Sequence, residues 1–275
     1  MKKFAVIGKP VAHSLSPLLH NYWFDKYKIE AEYSMLEIDE ADIESILAKV
    51  KSREISGINV TLPYKKKIIT HLDQIINDAK DTNSINTVFL DENKNLIGEN
   101  TDVFGFQAGY LKEIIGVEKK NLSALVIGAG GVAPSAIVAL QKCNIHNISI
   151  SNRTHEKALF LNKQFSSLRI VEWEKLMNET GTFDIIINAT SLGLKKGDEF
   201  EELIDQTKPG LIYIDTIYNP FQTKMIKHLK SKNIKTYNGL NMFIYQGQKS
   251  FYIWNKINPE IDERLIKILE SQIKK

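Results

Sequence analysis

The 275-residue chain contains one cysteine, Cys143. A single thiol excludes an internal disulfide and leaves no thiolate cluster for a structural metal, so no metal is expected and a reducing compartment suits the chain. Cys143 reads as a small packed residue. Long apolar runs are missing as well. The stretch 4–7 is too short for a signal sequence, and the most apolar region, 124–140, is broken by glycines and Pro134. A cytoplasmic enzyme is expected, with no membrane partner. Nor does charge of one sign accumulate. With 36 Lys and Arg against 33 Asp and Glu, the net charge of +3 is scattered, without a basic block or aromatic-interleaved stripe that would follow a nucleic-acid backbone. No nucleic-acid partner is expected. Arginine is scarce, at Arg53, Arg153, Arg169 and Arg264 alone.

What is present is a globular composition, 43% hydrophobic and 25% charged, in a chain long enough to bury a substantial core as two units. Short β-branched runs at 4–7, 33–36, 55–60 and 87–90, then at 124–127, 148–150, 184–188 and 211–215, alternate with helical periods. This pattern implies mostly parallel sheets covered by helices. The polar turn 91–95 between runs 87–90 and 96–99 predicts an antiparallel hairpin at a sheet edge. The unit boundary is expected near 101–106, with a return near 237–240 that packs the last helices on the first unit.

The few glycines concentrate after the apolar run 124–127, as Gly128, Ala129, Gly130, Gly131, Val132, Ala133. In this G-x-G-x-x-A spacing the first glycine permits a tight turn, the second lets a pyrophosphate approach the backbone, and Ala133 lets helix and strand pack closely. The helix start offers N–H groups and a positive dipole end to an anion. About 20 residues on, where a ribose-reading carboxylate would mark NAD, stand Ser151, Asn152, Arg153 and Thr154 without an acid. A guanidinium fork there suits a 2′-phosphate, so NADP is favoured; a solvated Arg153 with Lys157 one turn on is the alternative.

Four polar groups precede this region. Ser14 and Ser16 lie beside a helix start at Pro17, with Ser16 as its expected N-cap, and two hydroxyls there also make a small anion site. Asn59 and Thr61 end a strand, and Lys65 follows Pro63 at the head of a lysine run, which by position alone is equally a solvated face. Asn86 and Asp102 sit at turns, as Asn and Asp commonly do. If these converge on one cleft, Asp102 holds Lys65 oriented and charged for proton transfer to a hydroxyl or carbonyl. His13 and His20, without a partner cluster, read as hydrogen-bonded structural histidines.

With these motifs in order from Gly8 to Trp254, the chain closely resembles shikimate dehydrogenases. The resemblance implies an α/β protein: an N-terminal α/β substrate domain with a mostly parallel sheet (1–103 plus 241–275) and a Rossmann-type NADP-binding domain (104–240). It implies NADPH-dependent interconversion of 3-dehydroshikimate and shikimate in aromatic biosynthesis, by a monomer or homodimer. By the same resemblance Ser14 and Ser16 hold the substrate carboxylate. Thr61, Asn86 and Asp102 bind ring hydroxyls, with Asn59 beside them. Lys65 pairs with Asp102 at the reacting oxygen, and Gln246 faces the substrate. Residues Gly128 to Ala133 form the phosphate loop, and Asn152, Arg153, Thr154 and Lys157 clamp the adenosine phosphate. Thr190 and Ser191 line the cofactor, while Ile217, Tyr218, Gly239 and Met242 flank the nicotinamide, Tyr218 also reaching substrate. Asn83 and Ser84 replace a customary Gly-Ala, Phe243 replaces leucine and Gly247 replaces a common alanine. Two other readings stay open: a quinate or amino-analogue dehydrogenase, and a catalytically silent nucleotide- or metabolite-binding regulator.

Overall fold

β-Branched and aromatic side chains pack well on a pleated surface, and each run of them becomes a strand in the computed structural model, which describes residues 1–114 and 121–274. Contacts divide the chain into two units, Met1–Gly105 with Ile244–Gln272, and Phe106–Phe243 with the last residues of the chain. The sequence reading placed these divisions at 103/104 and 240/241.

The first unit runs β1 (Lys2–Gly8), α1 (Ser16–Lys26), β2 (Ala31–Glu37), α2 (Ile43–Lys51), β3 (Gly57–Val60), β4 (Gln74–Ile75), α3 (Asp78–Thr82), β5 (Thr87–Leu90), β6 (Leu96–Glu99) and α4 (Asp102–Phe106). Its sheet has the order β2-β1-β3-β5-β6-β4, with β5 antiparallel to both neighbours and the other pairs parallel. The β5–β6 hairpin is present but is not at the edge. The two-residue β4 pairs outside β6, and a strand that short carries no period to read. Helix α2 covers the sheet through Ile43, Ile46, Leu47 and Val50, all buried. Each such side chain, removed from water, contributes about 1.5–3 kcal/mol before conformational entropy is subtracted.

The second unit continues with α5 (Lys112–Ile114), β7 (Ser123–Ile127), α6 (Ala133–Lys142), β8 (Asn147–Ser151), α7 (His155–Phe165), β9 (Arg169–Ile170), α8 (Leu176–Glu179), β10 (Ile185–Asn188), β11 (Ile212–Asp215), α9 (Lys224–Ser231) and β12 (Lys235–Tyr237). Its sheet, β12-β11-β10-β7-β8-β9, is parallel throughout. Chain order reverses between β7 and β10, which leaves a crevice beyond their carboxyl ends, the usual ligand position in an open α/β sheet. Helix α10 (Leu240–Asn255) spans the division between the units, and α11 (Glu263–Ile273) follows. Among the described residues, no helix is long and apolar enough to cross a membrane.

Two local expectations need correction. Ser16 is not an N-cap: α1 begins at Ser16 after Leu15, with Pro17 in the first turn and no side-chain cap. Instead the Ser14 hydroxyl accepts the Ser16 N–H at 3.2 Å. His20 is fully buried without a hydrogen bond, both ring nitrogens lacking partners among the described residues. It lies flat on Tyr33, 4.4 Å between centroids and 3° between planes, with Trp23, Phe24, Phe251 and Trp254 around it. Burial pushes its pKa down to about 3, so the ring is neutral.

Candidate active site

In the first unit, strand ends bring the polar groups together. Only glycine at position 8 lets the end of β1 approach the 61–62 turn, since a Cβ there would lie 2.4 Å from Thr61 Cγ2 and 2.9 Å from the Leu62 carbonyl. The turn is pinned by the Thr61 N–H donating to the Ile7 carbonyl at 2.9 Å, and by the Ile85 N–H donating to the Lys65 carbonyl at 2.8 Å. The latter bond sets the Lys65 backbone beside Asn86. The Lys65 ammonium then donates to Asp102 Oδ2 at 2.6 Å, with the two side chains 13% and 5% exposed. Asp102 Oδ1 accepts from Asn86 Nδ2 at 2.8 Å. The Asn86 amide is not free to turn over, because its Oδ1 accepts the Thr101 N–H at 2.8 Å.

Lys65, Asp102 and Asn86 thus form one buried constellation, and the Gln246 side-chain oxygen stands 3.5 Å from Asn86 Nδ2. Ser14 and Ser16 join hydroxyl to hydroxyl at 3.1 Å beside the start of α1. Thr61 is half-buried at the end of β3. Asn59 differs from expectation. Its Oδ1 accepts from the Tyr33 hydroxyl at 2.7 Å, and its Nδ2 lies 2.9 Å from the Asn86 carbonyl and 3.1 Å from Thr87 Oγ1. Its hydrogen-bonding capacity is spent inside the protein, so it supports the site rather than facing a ligand. Sequence reasoning gave no role to Asn100 in the turn before Asp102; its Oδ1 accepts the N–H groups of Asp102 at 3.0 Å and Val103 at 3.3 Å. An Asn just before a helical turn that opens on a carboxylate was the available signal.

In the second unit, the glycine turn closes at the crevice between β7 and β10. Gly128 has φ +107°, and a Cβ there would lie 2.8 Å from the Ala189 carbonyl, so only glycine fits. Its N–H donates to the Ser151 carbonyl at 2.7 Å. The Ala129 N–H donates to Asn152 Oδ1 at 2.9 Å, and Asn152 Nδ2 donates to the Thr154 carbonyl at 2.8 Å. Asn152 therefore ties the glycine turn to the loop carrying Arg153. A Cβ at Gly130 would meet nothing nearer than 3.8 Å. Gly131 and Val132 lead into α6, which begins at Ala133 with Pro134 in its first turn and no side-chain cap. Arg153, Thr154 and Lys157 are exposed at the start of α7, and Arg153 has no acidic partner among the described residues.

On the far side of the crevice, Asn188 Oδ1 accepts from Thr190 twice, from its N–H at 3.0 Å and its hydroxyl at 2.6 Å, while Ser191 stays exposed. Asn188 also donates to buried Asp215, whose carboxyl burial pushes up to about 6 against the opposing pull of the Ile217 N–H, Thr223 hydroxyl and Asn188 amide. The Ile217 bond fixes the loop that carries Tyr218. Gly239 is obligatory beside it, a Cβ there falling 2.1 Å from the Thr216 carbonyl. Tyr218 stacks obliquely on Phe243 at 5.0 Å, and the Met242 N–H donates to the Tyr110 hydroxyl at 3.2 Å. Ile217, Tyr218, Gly239 and Met242 are thus one group within this unit.

A dinucleotide suits these features. A positive-φ glycine turn and a helix start without a side-chain cap receive phosphates, and an exposed guanidinium without an acid reads an additional one. In the first unit, an ammonium–carboxylate pair braced by an amide can hold a hydroxyl and exchange a proton with it. Comparison with known proteins agrees. The shikimate dehydrogenase substrate binding domain matches residues 6–88, and the shikimate / quinate 5-dehydrogenase family matches residues 111–238. The shikimate dehydrogenase (NADP(+)) of Pelagibacter ubique is 45% identical over 98% of this chain and 99% of its own length. That of Staphylococcus haemolyticus is 37% identical over 98% of each chain. The Thermus thermophilus shikimate 5-dehydrogenase, crystallised with NADP(H) and shikimate, superposes with a TM-score of 0.87 at 30% identity, covering 99% of this chain and 100% of the other. The chain belongs to the shikimate dehydrogenase family.

Proposed function

We propose that this chain interconverts 3-dehydroshikimate and shikimate in aromatic biosynthesis, using NADP, in a cytoplasmic setting. The observation that carries the reading is the 2.6 Å Lys65–Asp102 pair braced by Asn86, in a chain of this family. NADPH when bound supplies the hydride that reduces the ring carbonyl. Ser14 and Ser16 donate to the substrate carboxylate, exchanging their mutual hydrogen bond for bonds to an anion at the start of α1. Thr61 and Gln246 fix the ring hydroxyls, and Asn86, both of whose amide protons go to Thr101 and Asp102, braces the carboxylate that meets them. The Lys65 ammonium gives a proton to the carbonyl oxygen as the carbon becomes tetrahedral; in the reverse direction its amine takes the proton from the hydroxyl. Asp102 holds the ammonium and the hydroxyl in one line, so the proton moves between aligned partners. Asn100 keeps Asp102 in place through its backbone.

In the second unit, Gly128 to Ala133 and the start of α6 receive the pyrophosphate, and Arg153 with Thr154 and Lys157 holds the 2′-phosphate, Asn152 setting both loops. Thr190 and Ser191, then Ile217, Tyr218, Gly239 and Met242, border the cofactor's remaining length. An absorbance assay of the purified protein with shikimate and with quinate, each against NADP and NAD, tests the reading. Turnover is expected with shikimate and NADP, and a protein that oxidises quinate with NAD in preference would belong to the other activity.

A further inference from the structure

Beneath the site lies a buried polar cluster in which one residue has no role so far. Ser250, in the middle of α10, is fully buried. Its hydroxyl lies 2.8 Å from Thr87 Oγ1, 3.1 Å from Asn59 Nδ2, 3.2 Å from Thr101 Oγ1 and 3.1 Å from the Gln246 carbonyl one turn back. As a structural choice, serine here is poor. Alanine is the better helix former and brings no hydroxyl to bury, while a serine that bonds back to its own helix slightly weakens it.

The directions of the bonds show what the hydroxyl does. A serine hydroxyl has one proton and accepts from two directions. The Asn59 amide can only donate to it, and its own proton suits the Gln246 carbonyl or Thr87. Asn86 spends its two amide protons on Thr101 Oγ1, at 2.9 Å, and on Asp102 Oδ1. The Thr101 hydroxyl proton then goes to Ser250 or to Asn86 Oδ1. Ser250 accordingly joins α10 to the residue after Asn86 and to the residue before Asp102.

We propose that Ser250 is a positioning residue for the proton-transfer pair: through Thr87 and Thr101 it sets the Asn86 amide, and through that amide the angle at which Asp102 presents itself to Lys65. It touches neither substrate nor cofactor. The inference rests on the reaction proposed above, so its test begins with the parent enzyme oxidising shikimate with NADP.

In Ser250→Ala, kcat per folded site should fall about tenfold with KM for NADP unchanged, because alignment at the reacting oxygen is lost and cofactor binding is not. The primary deuterium isotope effect, read with shikimate deuterated at the oxidised carbon, should rise as chemistry replaces release as the slow step. Thr101→Val breaks the same link from the other side and should reproduce both changes. Thr101→Ser should restore them, and the Ser250→Ala, Thr101→Val double variant should be no slower than either single one. A merely structural serine would lower the melting temperature or the folded fraction and leave the isotope effect where it was. Ser250→Ala with kcat within about twofold of the parent and the same isotope effect overturns the proposal. So does a Thr101→Ser variant as slow as Thr101→Val. A parent protein that folds and leaves shikimate untouched overturns the reading beneath it instead.

Discussion

Lys65 and Asp102 hold each other in a nearly buried ion pair, and such a pair is costly to break because the survivor is left a buried charge. Lys65→Ala leaves Asp102 with the Asn86 amide as its remaining side-chain donor and removes the proton at the reacting oxygen. Turnover should fall about 10²–10⁴-fold, the range for a lost general acid, while NADP affinity measured by fluorescence titration stays near the parent value. Intact turnover would remove Lys65 from the reaction. Arg153 acts on the cofactor instead. Arg153→Ala should weaken NADP by about 1.5–3 kcal/mol, the cost of a charged hydrogen-bonding group, and leave NAD nearly unchanged. Kinetics with both cofactors would show the selectivity collapse, and an unaltered ratio would mean that Arg153 does not meet the 2′-phosphate. The missing acid beside Arg153 was readable from spacing, whereas Lys65 by position alone was equally a solvated lysine, and its pairing with Asp102 came from the family resemblance. Asn59 was legible as a strand-end amide, but not as one consumed by Tyr33, Thr87 and Asn86. Which neighbour takes a hydrogen bond is decided by folding, and the same blindness hid the roles of Asn100 and Ser250.

Elements were read where they were long enough to show a period. The strands from β1 to β11 that carry β-branched runs were recognised, whereas β4 and β9, two residues each, and the three-residue β12 were not. Those strands exist because neighbouring backbones need partners, a tertiary cause. Helix α1 gave its position but not its interior. His20, without a partner cluster, was expected to be hydrogen-bonded; it packs instead among Trp23, Phe24, Tyr33, Phe251 and Trp254. The pH behaviour of this packing has a definite sign. His20 carries a folded pKa near 3 against 6.5 for an exposed imidazole, so the neutral ring supports the fold fully above pH 6.5. That support drains away as pH falls toward 3, because the unfolded chain takes up the proton first. His20→Phe keeps the stacked shape and has nothing to titrate. Relative to the parent, its unfolding free energy in urea should rise as pH is lowered from 7 to 4, by about 1.4 kcal/mol per pH unit. A difference that stays flat across that range would show that His20 is charged, or solvated, within the fold.

Each of the two units has its own sheet, its own buried core and its own group of ligand-binding candidates, so each should respond to its own ligand. Ligand that binds only the folded form stabilises it by RT ln(1 + [L]/Kd), about 2.7 kcal/mol at a hundredfold excess over Kd. Amides that exchange through opening of the binding segment should slow by about a hundredfold under that condition. NADP alone should therefore protect residues 127–133, 151–157 and 189–192 in hydrogen exchange. Shikimate alone should protect 14–18, 61–66, 86–87 and 100–103, where the Ser14–Ser16 pair and the Lys65–Asp102–Asn86 constellation lie. The Arg153→Ala variant supplies the control, since at the parent's saturating NADP concentration it should lose most of the first protection and none of the second. Shikimate protecting the glycine turn with no effect at 61–66 would assign the substrate to the wrong unit, and the roles of Ser14, Ser16, Thr61 and Asn86 would fall together. Protection confined to the expected segments would locate both ligands without reference to turnover, and so would separate a binding defect from a chemical one in every variant above.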